Sequence, residues 1–194
     1  PCNTNAYIGM RNAPDLKRES FSALMRLDQN RAMARVAEKL EAPVSGIEQV
    51  FVWGNHSNTM YPDIRFLRYK GHRLADQFDP QWQEEFIKNV ATRGGQIIKA
   101  RGASSAASAA SAALDHMRDW ILGSQGKCCT MAVPSDGSYG IPEGLVFGFP
   151  CLCPGEARYQ IISNMPMTQE VRRRLEITRD ELINEARAVA DLLP

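Results

Sequence analysis

The chain has 194 residues and nearly balanced charges, with 23 lysines and arginines against 22 aspartates and glutamates. A net charge of +1 gives no reason to propose nucleic acid or an acidic membrane surface as its main partner. The hydrophobic fraction of 44% and the charged fraction of 23% are typical of a globular protein, and no apolar run approaches the ~20 residues of a membrane span. We therefore expect one globular domain with neither a nucleic-acid nor a membrane partner.

The first residue is Pro1, and no charged and apolar leader follows it. We therefore expect a piece of a longer protein that carries no signal peptide. The cysteines, which lack the spacing of a four-ligand zinc site, are Cys2, Cys128, Cys129, Cys151 and Cys153. We expect reduced thiols in a cytosolic setting and no bound metal.

Helical periodicity is clear in three segments of the chain. Apolar residues recur at helical spacing over residues 27–40. A second helix begins after the Asp-Pro pair at 79–80, and we expect the glycine pair at 94–95 to break or kink it. The last helix begins near Thr168 and continues close to the C-terminus, with an apolar stripe that predicts packing against a sheet or another helix.

Residues 101–123 begin with an unusual run of alanine and serine and continue into apolar residues at helical spacing. Such a run resembles a flexible linker, but alanine is the best helix former. We therefore predict a helix over this segment, with a face of small side chains that lets another backbone, a subunit or a ligand come close.

Strand patterns occupy much of the remaining sequence. They cover residues 47–53, 66–74 as a hairpin, 129–133, 145–153 and 159–162. Helices and strands do not alternate as parallel βαβ units require. We therefore predict an α+β fold with an antiparallel sheet and long helices.

Three histidines are present, in different surroundings. His72 lies in a polar hairpin and is expected to be solvated, whereas His116 is expected at a surface or an interface of its helix. His56 follows the apolar strand in a loop, the kind of place that presents functional groups. Its position alone leaves a structural role and a catalytic role both open.

Asp28 and Arg31 stand three residues apart at the start of the helix at 27–40, on one side of it. A carboxylate there is able to accept a hydrogen bond from an imidazole, fix its tautomer and stabilise the imidazolium, which makes the histidine a competent acid or base. Arg31 would bind a substrate carboxylate with two hydrogen bonds. The alternative is a capping aspartate with a solvated arginine.

The sequence contains no Gly-x-Ser-x-Gly, phosphate-loop, His-Glu-x-x-His or Gly-x-Gly-x-x-Gly motif, so it has no dinucleotide fingerprint of its own.

Several segments resemble malate dehydrogenases of the cytosolic type, and they occur in the right order. These segments are Pro1-Cys2-Asn3-Thr4-Asn5, Leu24-Met25-Arg26-Leu27-Asp28-Gln29-Asn30-Arg31-Ala32, Trp53-Gly54-Asn55-His56-Ser57 with Tyr61-Pro62-Asp63, and Ser104-Ser105-Ala106. The likeness continues through Ser135-Asp136-Gly137 to the C-terminal helix and so covers essentially the whole chain.

This resemblance implies that residues 1–194 are the C-terminal, substrate-binding half of such an enzyme. Residues 1–20 are either part of that domain or the tail of the nucleotide-binding half. The Rossmann domain, the mobile loop and the ribose-binding acidic residue would lie upstream, so we expect this chain alone to be inactive. The resemblance also implies NAD as the cofactor, with NADP not excluded, and a cytoplasmic homodimer without a metal.

The resemblance assigns roles by position. His56 matches the catalytic histidine, which protonates the oxaloacetate carbonyl and takes a proton from the malate hydroxyl. Asp28 matches its partner, and Arg31 matches the arginine that binds the substrate carboxylate. Ser105 matches a small hydroxyl residue that lines the pocket beside the nicotinamide, and Leu27 is expected on the nicotinamide side.

Two other functions stay open at this point. A lactate dehydrogenase uses an equivalent aspartate, histidine and arginine, although the Trp-Gly-Asn-His-Ser form favours malate. A non-catalytic fragment whose remaining property is dimerisation is the alternative of a different class.

Overall fold

A computed structural model describes residues 1–194, the side chain of Ala75 excepted. In this described part the helices are α1 (Cys2–Arg11), α2 (Arg26–Lys39), α3 (Pro80–Arg101), α4 (Ala107–Leu122) and α5 (Gln169–Ala188). The strands are β1 (Ile47–Glu48), β2 (Phe51–Trp53), β3 (Tyr61–Asp63), β4 (Arg68–Tyr69), β5 (His72–Arg73), β6 (Cys129–Pro134), β7 (Val146–Gly155) and β8 (Arg158–Ile161).

The strands form three antiparallel sheets, in the orders β1-β4-β5, β2-β3 and β6-β7-β8. The β6-β7 pair is the longest, and its register places Met131 opposite Phe149. All strand pairs in the described residues are antiparallel, so these residues contain no Rossmann unit, which is built from parallel strands. The predicted α+β fold with antiparallel sheets and long helices is confirmed.

Strand β2 lies between the two hydrophobic clusters of the core. Phe51 and Trp53 belong to the cluster that contains β6, β7 and the buried side of α5. Val50 and Val52 belong to the cluster formed with α2 and α3. Successive side chains of a strand point to opposite faces, so both sides of β2 are buried.

The predicted strand at 47–53 is in fact two strands, β1 and β2, in different sheets. Gln49 has a left-handed φ of 58°, which interrupts the extended backbone between them. The hairpin around Lys70 and Gly71 is confirmed, and both of these turn residues have positive φ.

Helix α3 continues through Gly94 and Gly95, so the predicted break at this pair is wrong, and the kink stays a prediction. Glycine costs a helix only about 1 kcal/mol relative to alanine, and the α3 residues Phe86 and Val90 are buried in the core. Asp79 caps the start of the helix, and its carboxylate accepts from the amide of Gln81 at 2.6 Å. Gly102, which has a left-handed φ of 71°, caps its end.

The alanine and serine run forms the first part of α4, but the helix begins at Ala107 and residues 102–106 form a connection. The buried side chains of α4 are those of Ala112, His116 and Trp120. Several large apolar side chains of the same helix are exposed: Leu114, Met117, Ile121 and Leu122.

His116 is buried, which contradicts its expected position at a surface, since the ring packs edge-on against Trp120. Burial and, to a smaller extent, the neighbouring Arg26 together lower the pKa of His116 to about 4, although Asp119 acts to raise it. The folded domain therefore holds this imidazole neutral.

The buried His116 makes the stability of the domain sensitive to acid. Between its ordinary pKa of 6.5 and the folded value of about 4, the unfolded chain takes up a proton that the folded chain does not. The free energy of unfolding therefore falls as the pH falls through this window, by up to about 3 kcal/mol from this residue. Urea unfolding at pH 7 and pH 4 should show a smaller loss for His116→Gln than for the unmodified chain or for the exposed control His72→Gln. An equal loss in all three would show that His116 does not cause it.

Candidate active site

The loop that carries His56 begins where β2 ends, at a turn that requires glycine. Gly54 has a φ of 97°, and a Cβ atom there would lie 2.4 Å from the hydroxyl oxygen of Thr178. The Gly54 amide donates to the carbonyl of Gly148 at 3.1 Å, and the Gly148 amide donates back at 2.8 Å. The turn therefore joins β2 to β7 and directs the following residues out of the core.

Asp28 lies in the first turn of α2 and is completely buried. Its Oδ2 lies 2.5 Å from His56 Nδ1, and its Oδ1 lies 3.4 Å from Arg31 Nη1. A carboxylate only accepts hydrogen bonds, so Nδ1 of His56 carries the proton. The side chain of His56 is 35% exposed, which leaves Nε2 available to a substrate.

Arg31 links the Asp28–His56 pair to the loop between α3 and α4. Its Nη2 donates to Ser105 Oγ at 2.9 Å, and its side chain is only 13% exposed. Burial lowers the pKa of Arg31 from its ordinary value; Asp28 raises it and Arg93 lowers it. The guanidinium remains charged at neutral pH and retains N–H groups beyond those used by Asp28 and Ser105.

A cavity of about 620 Å³ opens beside Arg31, between α2 and α3. Its ionisable lining residues are Arg31, Arg35, Glu38 and Arg93, and Leu27 also lines it. Glu38 pairs with Arg35 at 2.5 Å and Asp28 pairs with Arg31 at 3.4 Å, so among the described side chains Arg93 is the lining arginine without a paired carboxylate. His56 and Ser105 do not line this cavity. A larger cavity of about 810 Å³ is lined by none of the five residues predicted for the site.

The structure thus brings four of the five predicted site residues into one chain of hydrogen bonds, His56–Asp28–Arg31–Ser105. Leu27 is nearly buried beside Asp28 and stands outside that chain. Leu27 instead lines the cavity next to Arg31.

Three residues that hold the His56 loop were not predicted as site residues from the sequence. The side-chain oxygen of Asn3 accepts the His56 amide at 3.1 Å, and its nitrogen donates to the Gly54 carbonyl at 3.2 Å. Thr178 and Glu181 reach the same loop from α5. Asn3 belongs to a segment that carried the resemblance, but residues over 120 positions away leave no local pattern.

The described residues show no group of three or more histidine, cysteine or acidic side chains that would bind a metal ion. Nor does any helix among them combine the length and the apolarity that crossing a membrane requires. The five cysteines are free thiols.

Comparison with known proteins agrees with this architecture. Residues 25–192 match the family model of the lactate/malate dehydrogenase alpha/beta C-terminal domain. The fold is therefore that of a domain of the dehydrogenase class. The chain belongs to the lactate/malate dehydrogenase family.

Two solved structures are particularly similar to the chain. Malate dehydrogenase from Naegleria fowleri matches with a TM-score of 0.93 and 46% identity over 100% of this chain. Trichomonas vaginalis lactate dehydrogenase, in complex with NADH and oxamate, matches with a TM-score of 0.92 and 34% identity over 98% of this chain. The chain spans 60% of the length of each. Malate dehydrogenase from Aeropyrum pernix has the same fold at 21% identity and a TM-score of 0.84, over 100% of this chain and 62% of its own.

Proposed function

We propose that residues 1–194 are the substrate-binding half of an NAD-dependent malate dehydrogenase, which interconverts malate and oxaloacetate. The observation that carries this proposal is the hydrogen-bonded chain His56–Asp28–Arg31–Ser105. The relative at 46% identity is a malate dehydrogenase, and the one at 34% is a lactate dehydrogenase. A lactate dehydrogenase is therefore the second candidate.

In the proposed reaction His56 moves the proton. When oxaloacetate is reduced, the imidazolium donates from Nε2 to the ketone oxygen; when malate is oxidised, the neutral ring takes the hydroxyl proton at Nε2. Asp28, at 2.5 Å from Nδ1, holds the ring orientation and stabilises the imidazolium. The bound nicotinamide cofactor supplies or accepts the hydride.

Arg31 would bind the substrate carboxylate next to the reacting carbon. Asp28 and Ser105 fix the plane of its guanidinium, so less side-chain freedom is lost when a carboxylate binds. The free N–H groups allow a bidentate contact. The carbonyl carbon would then lie near His56.

The dinucleotide itself is not held by this chain alone, because the sequence has no glycine-rich phosphate loop. A nucleotide-binding half upstream of Pro1 would supply that loop. Leu27 and Ser105 are the residues that we propose face the nicotinamide. Leu27 provides a nearly buried apolar surface, and Ser105 a half-buried hydroxyl group.

The charge of the cavity supports malate over lactate. Arg93 lines the cavity with Arg31, and among the described side chains no carboxylate lies within ion-pair distance of it. Its Nη1 donates to the side-chain oxygen Oε1 of Gln96 at 3.3 Å. Two arginines favour a substrate with two carboxylates, such as oxaloacetate, over one with a single carboxylate, such as pyruvate.

Arg93→Gln should therefore reduce the preference for the dicarboxylate. The test uses the chain expressed with the coding sequence upstream of Pro1, which we call the full-length chain. We expect the ratio of kcat/KM for oxaloacetate to that for pyruvate to fall about 5- to 10-fold at low ionic strength, since an exposed charge contributes about 1 kcal/mol. Lys88→Gln, which removes a charge from the same helix outside the cavity, is the control. An unchanged ratio would contradict the role of Arg93, and a preference for pyruvate in the unmodified chain would favour the lactate reading.

We also propose a cytoplasmic homodimer. The free thiols support that compartment. Leu114 and Leu122 of α4 are 73% and 76% exposed, and such apolar side chains are commonly covered by a partner. A dimerising module without activity is the alternative if the full-length chain turns over neither substrate.

A further inference from the structure

Glu181 of α5 holds both sides of the loop that carries His56. Its Oε2 accepts hydrogen bonds from Asn55 Nδ2 at 2.9 Å, Ser57 Oγ at 2.5 Å and Thr59 Oγ1 at 2.6 Å. Asn55 and Ser57 are the two neighbours of His56 in the chain. One carboxylate oxygen therefore joins the residues before and after the histidine.

The contacts of Glu181 are suited to its charged form. Burial acts to raise the pKa of Glu181, but hydrogen bonds from Ser57, Thr59 and Asn55 lower it below its ordinary value. Hydrogen bonds to a carboxylate are stronger than those between neutral groups.

The rest of the same face of α5 contacts the same loop. The hydroxyl of Thr178 accepts the Asn55 amide at 2.8 Å and lies 2.9 Å from the hydroxyl of Thr59. Glu185 accepts from Asn55 Nδ2 at 2.8 Å. Residues three and four apart share a helix face, so these side chains form one surface with Glu181. Gly54 leaves room for this close approach.

His56 itself has two hydrogen bonds in the structure. Its amide donates to Asn3, and its Nδ1 donates to Asp28. The position of the imidazole ring therefore depends on the position of the His56 backbone. Glu181 holds that backbone through its hydrogen bonds to the residues on either side of His56.

We propose that Glu181 is a positioning residue for His56, which holds the loop of residues 55–59 so that Nδ1 of the imidazole meets the carboxylate of Asp28. This inference rests on the proposed function in one respect, namely that His56 moves the proton. The placement of the ring itself is testable without any turnover.

The histidine signals of the 194-residue chain report the placement directly. Nitrogen-15 NMR distinguishes a ring protonated at Nδ1 from one protonated at Nε2. We expect the neutral His56 ring to carry its proton at Nδ1 in mildly alkaline buffer, because Asp28 accepts it. In Glu181→Ala we expect the Nδ1–H signal to weaken and the Nε2–H form to increase, since the ring loses its contact with Asp28.

Two other histidines serve as internal references. His116 is buried and reports whether the core is intact, while His72 is exposed and reports the solvated ring. Glu176→Ala, on the exposed side of α5, is the matched control and should leave His56 unchanged. If Glu181→Ala disturbs the His116 signal, Glu181→Gln decides the matter, because it keeps the shape of the side chain and removes the charge. An unchanged His56 tautomer in a folded variant would overturn the proposal.

Kinetics of the full-length chain give the functional consequence. We expect Glu181→Ala to lower kcat for oxaloacetate by about 100-fold, with KM changed only a few-fold, because Arg31 still binds the carboxylate. A loss confined to KM would contradict the positioning role. If the unmodified full-length chain were inactive, the proposed function would fail, whereas the NMR result would still decide the role of Glu181.

Discussion

His56→Asn should lower kcat for oxaloacetate reduction by the full-length chain by about 10³-fold. Asparagine retains a polar side chain of similar reach, but it is unable to give up or take a proton at neutral pH. General acid catalysis contributes about 10²- to 10⁴-fold, and the buried Asp28 places this imidazole for that role. The assay follows NADH consumption under steady-state conditions.

His72→Asn is the control for this substitution, because His72 is an exposed histidine in a surface hairpin. We expect it to leave kcat and KM unchanged. The KM for oxaloacetate should change little in His56→Asn, since Arg31 supplies the contact with the carboxylate. If kcat fell less than about 10-fold, the proton would have to come from another group and the assignment of His56 would be wrong.

Asp28→Asn should lower kcat by about 10²- to 10³-fold, the second largest effect that we expect. The substitution keeps the size of a completely buried side chain and removes the charge that stabilises the imidazolium. The new amide is able to donate to Nδ1, which favours the tautomer with its proton on Nε2. The ring would then be a poor acid although its position is nearly unchanged.

Asp28 also pairs with Arg31, so its loss should weaken the fold. Breaking a buried pair from one side costs about 3 kcal/mol, which urea unfolding measures independently of activity. Asp15→Asn, in an exposed loop, is the matched control. Normal activity in a folded Asp28→Asn variant would contradict the proposed role of the carboxylate.

Much of the fold was predictable because local patterns dictate it. The apolar spacing of α2 and α5 and the strand patterns of β6 and β7 are visible in the sequence. The continuity of α3 was not predictable, because glycine weakens a helix without ending it and packing decided the outcome. Likewise, the apolar spacing of α4 includes both Leu114 and Trp120, but the structure buries Trp120 together with His116 and exposes Leu114.

Some residues of the candidate site were likewise predictable from the sequence, and others were not. Asp28 and Arg31 share one helix turn, so their proximity follows from spacing alone. The resemblance linked them to His56 and Ser105, and the structure places all four in contact. Glu181 was not predictable, because its contacts with the His56 loop span over 120 residues of sequence.

The most direct test of this account is the reduction of oxaloacetate and pyruvate by the full-length chain with NADH, with and without His56→Asn. We expect the full-length chain to reduce oxaloacetate in preference to pyruvate, and we expect His56→Asn to lose the reduction of oxaloacetate. A preference for pyruvate, or oxaloacetate turnover that persists without His56, would contradict it.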